Sequence, residues 1–406
     1  MTSFATEFLG CKVSMSDAQE IRERLAADGH AERPAAEAAV RVVNTCCVTA
    51  EAVAKSRKAL RRASRTAERV VATGCAASLP GALEGLPSNI TVLPRSSEVV
   101  ADAVSEAVGP LGCVGGATPG FARTRAYVKI QDGCSFTCSY CVIPQVRGMS
   151  RSRTAEAVIR DARRRVAQGH RELVLTGVNL GCFRDRAAGF HLSGLLTAVA
   201  ELEGLDRVRL SSIEINHLTD GLLEVMAGES RVAPHLHVPM QSGDAGVLQA
   251  MRRRYSAEGF LAKVSRARER VPGVSLTTDV IVGHPAEDEV AFERTLEAVR
   301  CAGFTRVHVF PYSPRPGTRD AADDPVPVAE KQRRSAELRA LADRQAAAHR
   351  MTKLGRRELV LVEGDSGRGY AGDYTPFVVP GAPAGHLVEA IGVDVGPDAV
   401  VARLCA

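Results

Sequence analysis

The chain has 406 residues, of which 45% are hydrophobic and 24% charged, and its mean hydropathy is −0.04. This composition is that of an ordinary globular protein and excludes a disordered or fibrous chain. No apolar run approaches the roughly 20 residues that a membrane helix needs, and the first residues lack the basic region and apolar core of a signal peptide. Both observations predict a cytoplasmic protein without a membrane partner. In that reducing compartment the 11 cysteines are better explained by metal binding or catalysis than by disulfides.

The first 108 residues alternate short apolar strands with helical stretches. Strands are predicted at residues 40–44 and 69–73, and helices at residues 17–28, 50–67 and 98–107. Strands that alternate with helices form a mainly parallel α/β sheet. We therefore predict an α/β domain over residues 1–108, followed by a Gly- and Pro-rich linker over residues 109–120.

Residues 121–350 repeat a strand-then-helix pattern about six times. The predicted strands lie at residues 126–131, 172–176, 207–212, 234–238, 274–282 and 306–310. The predicted helices include residues 154–168, 257–270 and 288–302, with a long polar helix at residues 328–350. This pattern predicts a full or partial β/α barrel, in which the loops after the strands carry the chemistry. Residues 351–406 contain short strands and Gly-rich turns, which predict a small all-β barrel.

Positive charge is concentrated in the middle of the sequence. The formal net charge is +5, and residues 121–350 carry 34 basic and 27 acidic groups, a net +7. Basic runs occur at residues 55–69, which are predicted to lie on one helix, and at residues 147–165 and 252–254. Each run alone can be a solvated helix face. Together they favour a polyanion such as RNA, because neutralising phosphates supplies much of nucleic-acid affinity.

Three cysteines follow the first predicted strand of the barrel. Cys134, Cys138 and Cys141 have the spacing C-x3-C-x2-C, and no fourth cysteine lies near them in the sequence. Iron–sulfur clusters normally take four cysteines, so a 4Fe–4S cluster held by three leaves one iron open. The amino and carboxylate groups of S-adenosylmethionine (SAM) can bind such an iron. The alternative is zinc, but zinc sites usually pair C-x2-C with a second ligand pair, and none is nearby.

Three further cysteine segments lie in the N-terminal region. Cys46 and Cys75 directly follow predicted strands, and Cys11 lies in or just after a first short strand. The carboxyl ends of strands in an open α/β sheet converge on one crevice, so these three thiolates can meet there and hold a second cluster. From spacing alone, buried structural cysteines explain the pattern equally well. Cys47 is an additional thiol that can exchange roles with Cys46.

Residues at other strand ends are candidates for binding SAM. The turn of Gly177 and Asn179 ends the second strand and can present backbone groups to the SAM amino group. Glu214 follows the third strand and can accept hydrogen bonds from the ribose or the amino group. Gln241 follows the fourth strand, and Ile281 in the fifth can pack on adenine. Taken singly, each of these residues can equally be structural. Their shared position at the ends of strands is what favours a ligand-binding site.

The segment around the barrel cysteines resembles a known family. The phrase from Lys129 to Cys134, with Ile143-Pro144 and Arg147-Gly148, is similar to the radical-SAM methylthiotransferases. The resemblance extends over essentially the whole chain. It implies an α/β fold with a flavodoxin-like N-terminal methylthiotransferase domain, a central radical-SAM partial (β/α)6 barrel and a C-terminal TRAM-like all-β barrel. At Ser14 the family usually has Asn, and at His284-Pro285-Ala286-Glu287 it usually has Phe-Pro-Gly-Glu, so this chain departs from the pattern at a non-ligand and in one loop.

The same resemblance implies cofactors and ligands. It implies two 4Fe–4S clusters and SAM, with one cluster on Cys134, Cys138 and Cys141. The second cluster would be held by Cys11, Cys46 and Cys75, because the family ligand directly follows Asn-Thr. Tyr140 would lie by the adenine of SAM.

Finally, the resemblance implies a transferase of sulfur-containing groups that inserts a methylthio group at carbon 2 of an adenine. The reaction would use two SAM molecules and an electron donor such as flavodoxin or ferredoxin. The segment from Asn44 to Thr49 is similar to the class acting on threonylcarbamoyladenosine at position 37 of tRNA. The alternatives are isopentenyladenosine in tRNA, an aspartate of a ribosomal protein and, remotely, a non-catalytic metal-binding RNA-binding protein. The candidate RNA contacts are Arg147, Arg151, Arg153, Arg356 and Arg357.

Overall fold

The computed structural model describes residues 2–94, 100–109, 124–322 and 324–405. The chain folds as two compact units. The first comprises Met1–Phe121, Asp132–Arg151 and Ser313–Asp323, and the second comprises Ala122–Gln131, Ser152–Tyr312 and Asp324–Ala406. The loop carrying Cys134, Cys138 and Cys141 therefore belongs to the same unit as the N-terminal region. The predicted linker lies outside the described residues except for Gly109, and the predicted domain boundaries remain predictions.

The N-terminal part of the first unit is a five-stranded parallel sheet with helices. Its strands are β1 (Ser3–Phe8), β2 (Ala31–Glu32), β3 (Val40–Thr45), β4 (Arg69–Gly74) and β5 (Ile90–Val92). Its helices are α1 (Lys12–Ala27), α2 (Ala50–Ser64) and α3 (Val100–Val108). All strand pairs are parallel, in the order β2-β1-β3-β4-β5. This is the flavodoxin-like order, so the predicted fold of this region is confirmed.

Apolar burial and capping account for these elements. Val43 and Val70 are fully buried, and α2 packs Leu60 against them in one apolar cluster. The helix starts where the Thr49 side chain accepts a hydrogen bond from the Ala52 amide at 3.1 Å, which satisfies one of the free donors of the first turn. One expectation was wrong: Arg69 is the first residue of β4, so the basic run of α2 ends before it.

The described residues from 124 to 311 form 10 strands and seven α-helices, with short 3-10 helices at Leu180–Cys182 and Ile215–His217. The strands are β6 (Arg125–Lys129), β7 (Gln131–Asp132), β8 (Arg151–Ser152), β9 (Glu172–Thr176), β10 (Arg184–Asp185), β11 (Phe190–His191), β12 (Arg207–Leu210), β13 (His235–His237), β14 (Ser275–Val282) and β15 (Arg306–Pro311). The helices are α4 (Ile143–Arg147), α5 (Ala155–Ala167), α6 (Leu192–Ala200), α7 (Asp220–Gly228), α8 (Ala245–Ala250), α9 (Ala257–Arg270) and α10 (Glu289–Ala302).

Six parallel strands of the second unit form the predicted partial barrel. They make two sheets, in the orders β12-β9-β6 and β13-β14-β15, and a parallel bridge between Ser212 and His237 connects the two. In the described residues β6 and β15 are the outer strands, so the barrel is open between them. Leu175, Leu236 and Leu276 belong to a large apolar core shared with the helices. Alternate strand residues face the opposite side.

The C-terminal segment confirms the predicted all-β barrel. Helix α11 (Val328–Met351) leads into five strands that close in the order β16-β17-β18-β20-β19. These are β16 (Arg357–Val362), β17 (Arg368–Tyr370), β18 (Pro376–Val378), β19 (Leu387–Val395) and β20 (Val400–Leu404). In the described residues no helix is both long and apolar enough to cross a membrane.

Three arginines attach this small barrel to the first strands of the partial barrel. Arg207 and Arg209 donate to backbone carbonyls of the small barrel, among them Leu359 at 3.1 Å and Gly372 at 2.8 Å. Arg125 pairs with Glu363 at 2.6 Å. Glu172 is the shared counter-charge: its burial alone would raise its pKa, but the three arginines lower the pKa to about 2. The carboxylate therefore stays ionised, and the small barrel packs on the strands as a fixed module.

Candidate active site

The cysteines at 134, 138 and 141, called here the loop cysteines, lie on a hydrogen-bonded loop of the first unit. The Cys134 amide donates to the Gly148 carbonyl at 3.0 Å, and the Cys141 amide donates to the Cys138 carbonyl at 3.2 Å. The Phe136 amide donates to the Cys134 sulfur at 3.4 Å. All three thiols are partly exposed. A folded loop with an amide donor towards one sulfur and partly exposed thiols suits iron–sulfur ligation.

The cysteines at 11, 46 and 75, called here the sheet cysteines, follow neighbouring strands of the N-terminal sheet. Cys11 caps the N-terminus of α1, Cys46 follows β3, and Cys75 follows β4. A Cβ built on Gly10 would lie 3.2 Å from the Cys46 sulfur, so the segment carrying Cys11 touches Cys46. Because parallel strands end at the same sheet edge, the three segments lie together at that edge, and their role as cluster ligands remains a prediction.

Gly74 permits the close approach of the ends of β3 and β4. Its φ is +92°, and a Cβ there would lie 2.6 Å from the Thr45 carbonyl oxygen and also overlap the Asn44 side chain. The Asn44 amide in turn donates to the Ser14 carbonyl at 2.9 Å, which joins the end of β3 to α1. Only glycine accepts both that φ and that distance, so the residue before Cys75 is dictated by backbone geometry.

Cys46 and Cys47 have different surroundings. Burial, followed by the proximity of Cys75 and Cys11, raises the pKa of Cys46 to about 11. Cys47 is fully buried in the apolar cluster with Leu60 and Val70. Its pKa is raised well above the ordinary value, first by a hydrogen bond with Cys75 and then by burial. Both thiols are therefore protonated in the protein without metal, and metal binding at either would release a proton.

Arg147 joins the two cysteine sets. It ends α4, directly after the loop cysteines, and its Nε donates to the Cys75 sulfur at 3.1 Å. Its side chain is buried and pairs with Asp17 and Asp132, each at 3.1 Å. Sequence reasoning assigned Arg147 to RNA, but a side chain without solvent exposure cannot contact RNA in this conformation. Its role beside Cys75 was missed because the sequence shows only one member of a basic run.

The strand ends of the second unit hold several of the predicted SAM residues. A side chain at Gly177 would be crowded, because a Cβ would lie 3.0 Å from the Gln131 carbonyl and side-chain oxygens. The same Gln131 side chain accepts from the Asn179 amide at 2.8 Å and so fixes the turn after β9. At the ends of β9 and β12, the buried side-chain oxygens of Thr176, Asn179 and Ser211 find no hydrogen-bond partner within the described part of the chain. Such groups are costly unless a ligand or water pairs with them.

Glu214, Gln241 and Ile281 occupy different positions in the same unit. Glu214 is buried and accepts from the Asn216 amide at 2.9 Å, so part of its hydrogen-bonding capacity caps a short helix. Gln241 has a φ of +67°, a conformation that costs free energy in residues other than glycine and clusters at functional sites. Its carbonyl accepts from Ile281 at 2.9 Å, and Ile281 is partly exposed. The structure thus places Gln241 and Ile281 next to each other.

A polar group on β13, β14 and β15 was not predicted. Among the described residues, His237, Asp279 and His308 bring one nitrogen or oxygen each within 4.8 Å of one another. His237 Nε2 lies 3.2 Å from an Asp279 oxygen, and its Nδ1 lies 2.9 Å from the Thr277 hydroxyl. The three residues come from separate strands, so their spacing in the sequence does not indicate that they lie together. They give this face of the strands a polar surface beside Ile281.

The other predicted RNA contacts differ in exposure. Arg356 and Arg357 are exposed at the start of the small barrel. Arg151 and Arg153 are partly buried, and Arg153 donates to the Lys129 carbonyl at 2.9 Å and to Asp161 at 3.3 Å. Exposed basic side chains also lie along α2 and at its end: Lys55, Lys58, Arg61, Arg62 and Arg65.

The donor sets suit the implied cofactors. Each cysteine set offers three sulfur ligands, which is what a 4Fe–4S cluster with one open iron requires. The unpaired oxygens at Thr176, Asn179 and Ser211 offer hydrogen bonds to a polar ligand such as SAM. The residues of the chain therefore fit both groups.

Comparisons with known proteins agree with this geometry. Residues 128–299 match the Radical SAM superfamily profile, and residues 3–89 match the profile of the Uncharacterized protein family UPF0004. The threonylcarbamoyladenosine tRNA methylthiotransferase MtaB of Thermotoga maritima is 33% identical over 96% of this chain and 93% of that protein. MtaB of Bacillus subtilis is 36% identical over 85% of this chain and 81% of that protein. The tRNA-2-methylthio-N(6)-dimethylallyladenosine synthase of Sphingopyxis alaskensis is 31% identical over 99% and 97%.

A solved structure shares the fold. The radical S-adenosylmethionine methyltransferase TsrM from Kitasatospora setae, with tryptophan and a SAM analogue bound, matches with a TM-score of 0.54 and 15% identity. The match covers 79% of this chain and 75% of that one. At this identity the likeness concerns the fold alone.

Proposed function

This chain belongs to the radical-SAM tRNA methylthiotransferases, as its identity to them over nearly their whole length shows, and from that premise we propose its substrate and the roles of its cysteines. It is an enzyme that uses SAM and iron–sulfur chemistry. The proposed substrate is threonylcarbamoyladenosine at position 37 of tRNA, and the proposed product carries a methylthio group at carbon 2.

One observation carries the proposal: two sets of three cysteines lie in one compact unit. The loop cysteines would hold the radical-SAM cluster, and the sheet cysteines would hold the second cluster. The bound clusters and SAM would supply the electron, the 5′-deoxyadenosyl radical and the methylated sulfur that substitution at an unactivated C–H bond requires. An electron donor such as flavodoxin or ferredoxin would reduce the clusters.

The chain's own residues would prepare the reaction by positioning. The turn fixed by Gln131 would hold Gly177 and Asn179 towards the SAM amino group, and Ile281 would pack on its adenine. Glu214 would accept hydrogen bonds from the ribose or the amino group of SAM, and Gln241 would contact SAM from the end of the fourth strand. None of these side chains needs to remove a proton from carbon 2.

Two sequence features support the threonylcarbamoyl substrate. The segment Asn44-Thr45-Cys46-Cys47-Val48-Thr49 is similar to that class, and the relatives at 33% and 36% identity carry that name. Relatives that act on dimethylallyladenosine, by their names, are 31–33% identical, so the alternative remains the main rival. Exposed Arg356 and Arg357, with the basic surface of α2, would contact tRNA phosphates.

A substrate competition tests the choice. Purified enzyme with both clusters reconstituted would be incubated with SAM, a reductant and equal amounts of two otherwise identical tRNAs, one with threonylcarbamoyladenosine and one with isopentenyladenosine. We expect the methylthio group on the threonylcarbamoyl form, with a preference of at least about 100-fold because a site built for polar groups strongly rejects a ligand that lacks them. Modification of the isopentenyl form instead would overturn the substrate assignment.

The same assay distinguishes two alternative functions. If only a ribosomal protein added to the mixture gains a methylthio group, the substrate is a protein aspartate. If the purified chain binds tRNA but cleaves no SAM, it is a non-catalytic metal-binding RNA-binding protein. Iron analysis gives a matched check, since two cubane clusters predict about eight irons per chain.

A further inference from the structure

The guanidinium of Arg147 contacts a sheet cysteine, because its Nε donates to the Cys75 sulfur. Only about 4% of its surface is exposed, and Asp17, Asp132 and Cys75 around it are each at most 8% exposed. Burying a guanidinium together with two carboxylates carries a large desolvation cost. Replacing such an ion pair by apolar residues is often neutral or stabilising. Stability alone therefore does not explain why the chain keeps these charges here.

All three nitrogens of the guanidinium are engaged, which fixes its orientation. Nη2 donates to Asp17 at 3.1 Å and to Ser14 at 3.3 Å, and Nη1 donates to Asp132 at 3.1 Å. This leaves Nε aimed at the Cys75 sulfur at 3.1 Å. Asp132 is itself held by the Gly133 amide at 2.7 Å. The carboxylates of Asp17 and Asp132 thus fix the guanidinium so that its Nε–H donates to the Cys75 thiol.

Apolar residues also pack the segment of α4 against its neighbours. Val142 and Val146 of the same segment already lie in the apolar cluster with Cys47 and Cys75. An apolar residue at 147 would continue that cluster at lower cost. The guanidinium of Arg147 therefore serves its contact with the Cys75 sulfur more than the packing of the helix.

We propose that Arg147 is a positioning residue for the cluster held by the sheet cysteines, where it donates a hydrogen bond to the Cys75 ligand and offsets the negative charge of the three thiolates. The inference rests on the proposed second cluster. Because Arg147 follows the loop cysteines by six residues, the same side chain ties the segment of one cysteine set to a ligand of the other. Hydrogen bonds to sulfur and local charge set the reduction potential of such clusters, and outer partners affect how firmly metal is held.

The test uses the full-length chain with the loop cysteines replaced by alanine, so that the remaining cluster gives the only EPR signal. In this background Arg147→Met removes charge and donors, Arg147→Lys keeps the charge, and Arg160→Met removes an exposed charge on α5 as the matched control. Two properties are measured: the reduction midpoint of the cluster, and the iron retained against a chelator.

For Arg147→Met we expect a more negative midpoint and metal affinity weaker by roughly 10–100-fold. The direction follows because removing a positive charge disfavours the reduced, more negative cluster. Arg147→Lys should have a midpoint close to that of the wild type but should still lose iron more readily. Arg160→Met should change neither the midpoint nor the iron retention. Since Arg147→Met can fail to fold, Asp17→Asn, which loosens the hold on the guanidinium, is the second variant. It should weaken iron retention by less than Arg147→Met does, while the loss of its negative charge moves the midpoint in the positive direction.

The contrary outcome is a midpoint and iron retention in Arg147→Met and Asp17→Asn that match those of Arg160→Met. Cys75→Ala separates this result from a failure of the proposed function. If Cys75→Ala loses the cluster while the arginine variants keep it unchanged, only the role of Arg147 is wrong. If Cys75→Ala keeps all its iron, there is no cluster on the sheet cysteines, and both proposals fall.

Discussion

Replacing Cys138 by alanine is expected to reduce the formation of 5′-deoxyadenosine to background. Cys138 is the middle ligand of the loop, and its carbonyl also accepts the Cys141 amide at 3.2 Å, so the loop backbone can persist without the thiol. With two thiolates left, a cluster has too few protein ligands to stay bound and cannot present an open iron to SAM. The measurement is chromatography of the nucleosides formed from SAM under dithionite.

Cys301→Ala is the matched control for that experiment. Cys301 is an exposed thiol on α10 that contacts Glu297 at 3.3 Å, far along the sequence from either cysteine set. It should form 5′-deoxyadenosine like the wild type. Formation at the wild-type rate in Cys138→Ala would mean that the radical-SAM cluster is not on the loop cysteines.

Replacing Cys46 by alanine should separate the two activities. We expect the variant to form 5′-deoxyadenosine yet to transfer no methylthio group, with its iron falling from about eight to about four per chain. Cys46 lies beside the segment that carries Cys11, whereas Cys47 is fully buried among apolar residues. Cys47→Ala is the matched neighbour and should keep both products, although loss of a buried thiol can cost about 1 kcal/mol of stability.

The reverse pattern would identify Cys47 as the ligand. If Cys47→Ala loses methylthio transfer and half of the iron while Cys46→Ala keeps them, the assignment by motif is wrong. Cys47 is close enough to act as a ligand in place of Cys46, because its thiol shares a hydrogen bond with Cys75.

Regular features of the fold were accessible from the sequence because they follow from local patterns. Valine-rich segments predicted β3 and β4, and the alternation of strands and helices predicted a parallel sheet that brings Cys46 and Cys75 to one edge. The start of α1 was not predicted. Its cap is Cys11, which makes no side-chain capping bond, whereas the usual capping types Ser16 and Asp17 lie inside the helix.

The contacts between distant segments could not be read in the same way. Arg147, 72 residues after Cys75, looked like one of several basic residues, and only folding brings its Nε to that sulfur. His237, Asp279 and His308 meet because three parallel strands are in register, a relation that no spacing in the sequence encodes. The roles of the individual site residues remain predictions.

The most direct test of the account is mass spectrometry of tRNA nucleosides from a strain that lacks this gene. We predict that the methylthio form of threonylcarbamoyladenosine disappears, that the unmethylthiolated form accumulates, and that the wild-type gene but not Cys46→Ala restores the profile. An unchanged amount of methylthio-threonylcarbamoyladenosine, or loss of the methylthio form of isopentenyladenosine in its place, would contradict it.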